Sequence, residues 1–132
     1  MKVVDTNVIA YLFIEGSNTK HSKALFEDDA FWVSSILWRS KFRNILALYY
    51  RKNYINSLQM REIMRKAEEL LNGNEYNIPS NQIFDLIENS TCSVYDCEFV
   101  ALAQDIGEKL ITSDKRILKE FPEYTKSLLE YA

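Results

Sequence analysis

The sequence has few of the residues that interrupt or cross-link a chain. Its 132 residues include three glycines, two prolines, two cysteines and a single histidine, His21. No Gly, Pro or Ser-rich stretch divides it, so we expect a single domain over residues 1–132. Cys92 and Cys97 lie five positions apart with no histidine nearby, which argues against a zinc site.

Long hydrophobic runs are also lacking. No apolar run reaches the ~18 residues of a membrane span, so we expect no membrane association. Asp5 and Asn7 interrupt the apolar N-terminus, and no small-residue cleavage site follows, which argues against a signal peptide. These absences favour a cytoplasmic protein with reduced thiols.

Apolar residues nevertheless make up 47% of the chain, enough to build a core. Short runs rich in β-branched and aromatic residues predict strands, and helical patterns separate them; the strand runs are KVVDTN, AFWVSS, EYNIPS and KLITSD. This alternation predicts an α/β fold with a parallel sheet and helices on both faces. The tail YTKSLLEYA is ambiguous.

Helix boundaries are predicted from capping residues. The long helix within SSILWRSKFRNILALYYRKN is expected to start after Ser34 or Ser35 as its N-cap. The next helix is expected to be capped by Ser57 and to end just before Gly73.

Two acids follow predicted strands. Asp5 comes after the first strand and Asp114 after the KLIT strand, and ligands of parallel sheets bind at the carboxyl ends of strands. Either acid alone is better explained as the cap of the following helix.

A third acid, Asp96, lies on the apolar face of its predicted helix, with Phe99 and Val100 three and four positions later. An unpaired carboxylate on a buried face is costly. Three carboxylates converging at one sheet edge require a counter-ion, and oxygen ligands favour Mg²⁺ or Mn²⁺. The sequence therefore predicts a metal site formed by Asp5, Asp96 and Asp114.

A lysine occupies an unexpected position on the long helix. Trp38, Phe42, Ile45 and Tyr49 form its apolar stripe, and Lys41 lies about 60° from the centre of that stripe, at the edge of the inward face. The surrounding segment is basic. Eight of the sixteen Lys and Arg residues lie between positions 39 and 66, where one acid is present. Such a segment is either an anion-binding surface or two solvated helix faces.

Three motifs taken together resemble the PIN-domain family, and within it the small single-domain toxins of the VapC type. They are VVDTN at the N-terminus, YDCEFVALAQ in the last third and LITSD shortly after it. The resemblance covers essentially the whole chain. It implies a three-layer α/β/α sandwich on a mainly parallel sheet, and a Mg²⁺- or Mn²⁺-dependent endoribonuclease that attacks phosphodiesters with metal-activated water.

The resemblance also assigns residues. It implies that Asp5, Asp96 and Asp114 form the acidic catalytic cluster. The polar neighbours that support this cluster are Asn7, Thr112 and Ser113. Where the family carries a further metal-binding glutamate, this chain has Lys41. Exchanging a negative for a positive charge there predicts weak or absent metal binding and an inactive or nearly inactive enzyme.

Three explanations of Lys41 stay open at this point. In the first, Lys41 is an inactivating change, made or selected because the active toxin kills its expression host. In the second, it is natural and marks a degenerate nuclease. In the third, another acid replaces the missing glutamate. Glu98 and Asp105 are the candidates for the last, but both are predicted to face away from Asp96, by about 200° and 180°.

Arg39 and Arg43 are candidate RNA-phosphate contacts, with a solvated helix face as the alternative. The resemblance further implies a cognate antitoxin and a homodimer. A catalytically degenerate domain that binds RNA or antitoxin is the competing function. Haloacid-dehalogenase-type phosphatases are disfavoured because Asn7 stands where they need a second Asp.

Overall fold

The first strand, β1 (Lys2–Val4), lies at the centre of a five-stranded sheet in a computed structural model that describes residues 1–132. The other strands are β2 (Trp32–Ser35), β3 (Glu75–Tyr76), β4 (Leu110–Thr112) and β5 (Thr125–Ser127), in the spatial order β3-β2-β1-β4-β5. All four strand pairings are parallel. The carboxyl ends of the strands consequently meet at one edge.

Seven helices flank the sheet: α1 (Thr6–Phe13), α2 (Thr19–Asp28), α3 (Trp38–Arg51), α4 (Ser57–Leu71), α5 (Ser80–Glu88), α6 (Val94–Ile106) and α7 (Lys115–Glu120). Helices α1 to α4 pack against one another, whereas α5 packs on α6, and α6 contacts β1, β2 and β4. The predicted α/β sandwich is confirmed, with a sheet that is parallel throughout. None of the helices combines the length and apolarity needed to cross a bilayer.

The apolar stripe of α3 faces the core, as predicted. Trp38 and Phe42 are fully buried, and they join Trp32 of β2 and Phe99 of α6 among the largest buried side chains. Ile45 and Tyr49 are half-buried against this core. The burial of this stripe fixes the rotation of α3 and therefore the direction of its remaining side chains.

The ambiguous tail forms the fifth strand. Residues 125–127 have no alternating apolar pattern, so nothing local predicts a strand. Thr125 pairs in register with Leu110 of β4, and its hydroxyl donates to the Phe121 carbonyl at 2.7 Å. Long-range pairing therefore determines this element.

Two predicted helix caps are wrong. Ser34 stays in β2, where its hydroxyl donates to the Val4 carbonyl at 2.7 Å, and α3 begins three residues after β2 ends, at Trp38. Helix α4 is capped by Asn56: its side-chain oxygen accepts the Gln59 backbone amide, and the Gln59 side-chain oxygen accepts the Asn56 backbone amide, both at 2.8 Å. Ser34 is held in β2 by its hydrogen bond to Val4 and by strand pairing. The reciprocal capping box of Asn56 and Gln59 places the N-cap of α4 one residue earlier than predicted. The end of α4 is as predicted, with Gly73 beyond it at φ +77°.

Candidate active site at the sheet edge

The acids that follow β1 and β4 are brought together because these strands are neighbours. Val4 pairs with Ile111, so Asp5 and Thr112 come next on adjacent strands. The Asp5 amide donates to the Ile111 carbonyl at 3.4 Å, which extends the ladder to the residue that carries the carboxylate. We call Asp5, Thr112 and Asp114 the acidic edge.

Asp5 is a buried carboxylate, only 6% exposed. One of its oxygens accepts the Val8 amide at 3.2 Å and so caps α1. The other accepts the Thr112 hydroxyl in a short hydrogen bond. Burial raises the pKa of Asp5 to about 6, although both hydrogen bonds oppose the shift. The positive charge of Lys41 also lowers this pKa, whereas the negative charge of Asp114 raises it.

Thr112 connects the two acids. Its hydroxyl donates to Asp5 and accepts the backbone amide of Asp114 at 3.0 Å. Asp114 in turn caps α7, since its Oδ1 accepts the amides of Arg116 and Ile117 at 2.9 and 3.0 Å. Asp5 and Asp114 therefore each cap a helix and also belong to the acidic edge. The helix-cap interpretation and the site interpretation of these acids are compatible.

Lys41 is half-buried on the first turns of α3. Its ammonium nitrogen lies 5.5 Å from the ring centroid of Phe99 on α6. It forms no direct ion pair, but its charge acts on Asp5 and on Glu98. The lysine thus lies within electrostatic reach of acids from β1 and α6.

Glu98 is predicted to face away from Asp96. It is half-buried; burial raises its pKa, and the positive charge of Lys41 lowers it. Lys41 is therefore close enough to act on Glu98, and the direction of Glu98 relative to Asp96 stays a prediction. Asp105 is exposed, as expected.

Asp96 lies on the first turn of α6, half-buried, with its amide bonded to the Ser93 hydroxyl at 3.1 Å. No hydrogen bond joins it to the acidic edge. Its charge is felt instead by the buried thiols: burial raises the pKa of Cys92 to about 12 and also that of Cys97, and Asp96 contributes to both shifts.

The residues present do not fit a divalent metal ion. No three Asp, Glu, His or Cys side chains are grouped so that they could hold one. Asp5 already accepts two hydrogen bonds, Asp114 uses one oxygen for its cap, and Lys41 brings a positive charge to the same edge. A cation would meet few free oxygens and a like charge.

Ser113 and Asn7 are two further residues that were predicted to support the acidic cluster. Ser113 is half-buried, with its hydroxyl 3.1 Å from the Tyr11 hydroxyl. Asn7 is exposed and, together with Tyr11, Ile45 and Tyr49, lines a cavity of about 270 Å³ beside the acidic edge. The pairing of Tyr11 with Ser113 joins α1 to the segment after β4, and no local sequence pattern indicates it.

Arg39 and Arg43 differ from each other. The Arg39 guanidinium donates to Glu75 from two nitrogens, at 2.5 and 2.7 Å, and also pairs with Glu68. The indole of Trp38 donates to Glu75 at 2.8 Å. This arginine network ties α3 to α4 and β3, so Arg39 is engaged in structural contacts. Arg43 is exposed and has no ion pair.

Comparison with known proteins supplies the family. The model of the PIN domain family matches residues 2–124, which is nearly the whole chain. The chain belongs to the PIN domain family. The resemblance seen in the three sequence motifs is thereby confirmed.

This PIN domain is 26% identical over 129 residues to Ribonuclease VapC3 of Pyrobaculum aerophilum, covering 91% of this chain and 94% of that protein. Its fold is similar to the crystal structure of PAE2754 from the same organism, with a TM-score of 0.76 and 15% identity over 98% of this chain and 94% of the other. It is also similar to a toxin–antitoxin complex from Klebsiella pneumoniae, with a TM-score of 0.65 and 20% identity over 92% of this chain and 90% of the other.

Proposed function

We propose that this PIN domain is the ribonuclease toxin of a toxin–antitoxin pair, and that Lys41 keeps its catalytic centre inactive. The likeness to Ribonuclease VapC3 over nearly the full length of both chains supports the activity. The likeness to the Klebsiella pneumoniae toxin–antitoxin complex supports an antitoxin partner. A homodimer and a cytoplasmic location belong to the same proposal.

The observation that carries the proposal is the position of Lys41. Its ammonium reaches from α3 toward Phe99 and acts on both Asp5 and Glu98. Lys41 lies beyond ion-pair distance of both carboxylates, yet its positive charge lowers the pKa of each. A lysine so placed puts a like charge where a metal cation would have to bind.

Position 41 then determines whether the edge accepts a metal ion. With glutamate there, the edge gains an oxygen ligand and loses the repelling charge, and Mg²⁺ or Mn²⁺ is the proposed cofactor of that form. In the present chain, Asp5 and Asp114 remain oriented by Thr112 and by their caps. The two acids of the edge therefore keep their positions, and the positive charge beside them comes from Lys41 and not from a bound cation.

The test is the substitution Lys41→Glu, with Lys20→Glu as the matched control. Lys20 is exposed on α2 and forms no ion pair, so the control makes the same charge change away from the edge. We expect Lys41→Glu to bind Mn²⁺ about 100-fold more tightly or better by calorimetry. We also expect this variant to cleave RNA in a Mn²⁺-dependent manner, whereas the unsubstituted protein and Lys20→Glu do not.

If Lys41→Glu is folded but gains neither metal affinity nor cleavage, the inactivated-ribonuclease proposal is wrong. The second candidate is then favoured, an RNA- or antitoxin-binding module without catalysis. One observation supports that candidate, namely that Lys41 places a positive charge near enough to the edge to lower the pKa of Asp5. Binding of RNA by the unsubstituted protein in a chelator would support this reading.

A further inference from the structure

A cavity lies away from the acidic edge, at the turn between α3 and α4. It has a volume of about 560 Å³ and is lined by Tyr50, Arg51, Asn53, Tyr54 and Gln59, among others. We call it the hairpin cavity. The turn is held by Asn53, whose φ of +61° closes α3, and by the Tyr54 amide, which donates to the Tyr49 carbonyl at 3.0 Å.

Two tyrosines of the hairpin cavity are exposed although they belong to an ordered turn. Tyr54 is 69% exposed and Tyr50 43%. The ring of Tyr54 is held edge-on by Tyr49, with centroids 5.8 Å apart and planes at 79°. A fixed aromatic ring with a free face is a suitable stacking partner for a nucleobase, since every base has a π-face.

The surroundings of the hairpin cavity carry positive charges that the protein does not neutralise. Arg51, Lys52 and Arg61 are exposed and form no ion pair. The contrast with Arg65 is informative, because its guanidinium pairs with both Glu62 and Glu69 on the same helix α4. Glu62 on α4 is therefore already paired, and the unpaired cations favour a polyanion as the occupant.

Tyr49 connects the hairpin cavity with a second cavity. It contacts Tyr54 and also lines the smaller cavity of about 270 Å³ that is lined by Asn7. Asn7 follows Asp5 by two residues. Along α3, the separation of eight residues from Lys41 to Tyr49 corresponds to about 12 Å, a distance that a few nucleotides of RNA span.

We propose that the hairpin cavity is a second RNA-binding site, which stacks an unpaired base on Tyr54 and holds flanking phosphates with Arg51 and Lys52. The proposal rests on RNA being the ligand of this domain. Single-stranded RNA fits better than a peptide because free aromatic faces, amide side chains and unpaired cations occur together here. The site would select RNA whose scissile bond is joined to a flexible single-stranded segment.

The experiment measures binding of a short fluorescein-labelled single-stranded RNA to the full chain by anisotropy, in chelator so that no cleavage occurs. We expect Tyr54→Ala to weaken binding about tenfold and Tyr54→Phe to remain within about twofold, since the ring does the stacking. Arg51→Gln should reduce the slope of log affinity against log salt by about 0.7.

The matched controls are Tyr124→Ala and Lys119→Gln, which alter an exposed tyrosine and an exposed lysine elsewhere on the surface. Both should bind RNA like the unsubstituted protein. If Tyr54→Ala fails to fold by thermal melting, Arg51→Gln decides the question alone.

Equal affinity of Tyr54→Ala, Arg51→Gln and the controls would overturn the second site while leaving the proposed function standing. Loss of antitoxin binding by Tyr54→Ala with unchanged RNA binding would overturn it as well and assign the surface to a protein partner. Absence of RNA binding by the unsubstituted protein and by Lys41→Glu would instead count against the proposed function itself.

Discussion

Arg39 and Lys41 lie two residues apart on α3, yet they meet acidic side chains in opposite ways. Arg39 forms direct hydrogen bonds with Glu75 and Glu68, and the pKa of Glu75 is lowered mainly by its hydrogen bond with that guanidinium. Lys41 forms no direct ion pair, and the acid it faces, Asp5, has its pKa raised to about 6 by burial.

The difference separates a carboxylate in a structural ion pair from a buried carboxylate that has no direct cationic partner. In the arginine network, partner geometry compensates for burial, so the carboxylate stays ionised at low cost. At the acidic edge, burial outweighs the hydrogen bonds of Asp5 and the charge of Lys41. A carboxylate left in that condition is expected at sites that bind a ligand or a cation.

The largest expected effect on stability is the pH dependence caused by Asp5. Its folded pKa of about 6 lies above the ordinary value of 3.8. The protonated carboxyl therefore stabilises the folded state below about pH 4, and this stabilisation is lost as the pH rises through 6. The loss amounts to about 3 kcal/mol.

Asp5→Asn tests this directly, because the amide keeps the shape and cannot ionise. Urea titrations between pH 4 and pH 7 should show the unfolding free energy of the unsubstituted protein falling relative to that of the variant. Parallel curves would mean that Asp5 is not penalised by burial, and the contrast between the two regions would disappear.

A smaller effect of opposite sign is expected for Glu75. Its folded pKa is lowered, so its contribution to stability is present at neutral pH and is lost as the pH falls through that lowered value. Glu75→Gln should cost about 2 kcal/mol at pH 7, because Arg39 loses its charged partner. The cost should vanish in acid. A pH-independent cost would show that the network acts by shape and not by charge.

Substitution of the two cations separates their roles, and the smallest effect on stability is expected for Lys41. Arg39→Met should reduce the unfolding free energy by about 2 kcal/mol, since it leaves Glu75 without its main donor. Lys41→Met should change it by less than about 1 kcal/mol. Its effect should appear instead in the titration of Asp5 by carbonyl NMR, with a midpoint higher than in the unsubstituted protein. An unchanged midpoint would place Lys41 outside the reach of Asp5.

The α/β sandwich and the positions of Asp5 and Asp114 follow from the sequence because they depend on local periodicity. Three of the five strands, β1, β2 and β4, carry apolar, β-branched residues, and the parallel arrangement places the residues after them at one edge. Lys41 was predicted to lie at the edge of the inward face of α3, because Trp38 and Phe42 determine how that helix is rotated.

The structural features that the sequence does not predict depend on long-range contacts. The partners of Arg39 are 29 and 36 residues away, and no spacing rule connects them. The strand formed by Thr125–Ser127 exists only because β4 offers it a pairing edge.

The central position of β1 has a consequence for how the protein is made. The strand order β3-β2-β1-β4-β5 places the N-terminal strand between the early strand β2 and the late strand β4. During synthesis, Asp5 leaves the ribosome first but gains Thr112 and Asp114 as neighbours only when almost the whole chain has emerged. A growing polypeptide of this design cannot assemble its acidic edge early, so any nuclease built on this frame stays harmless to the message being translated until its own translation is nearly finished.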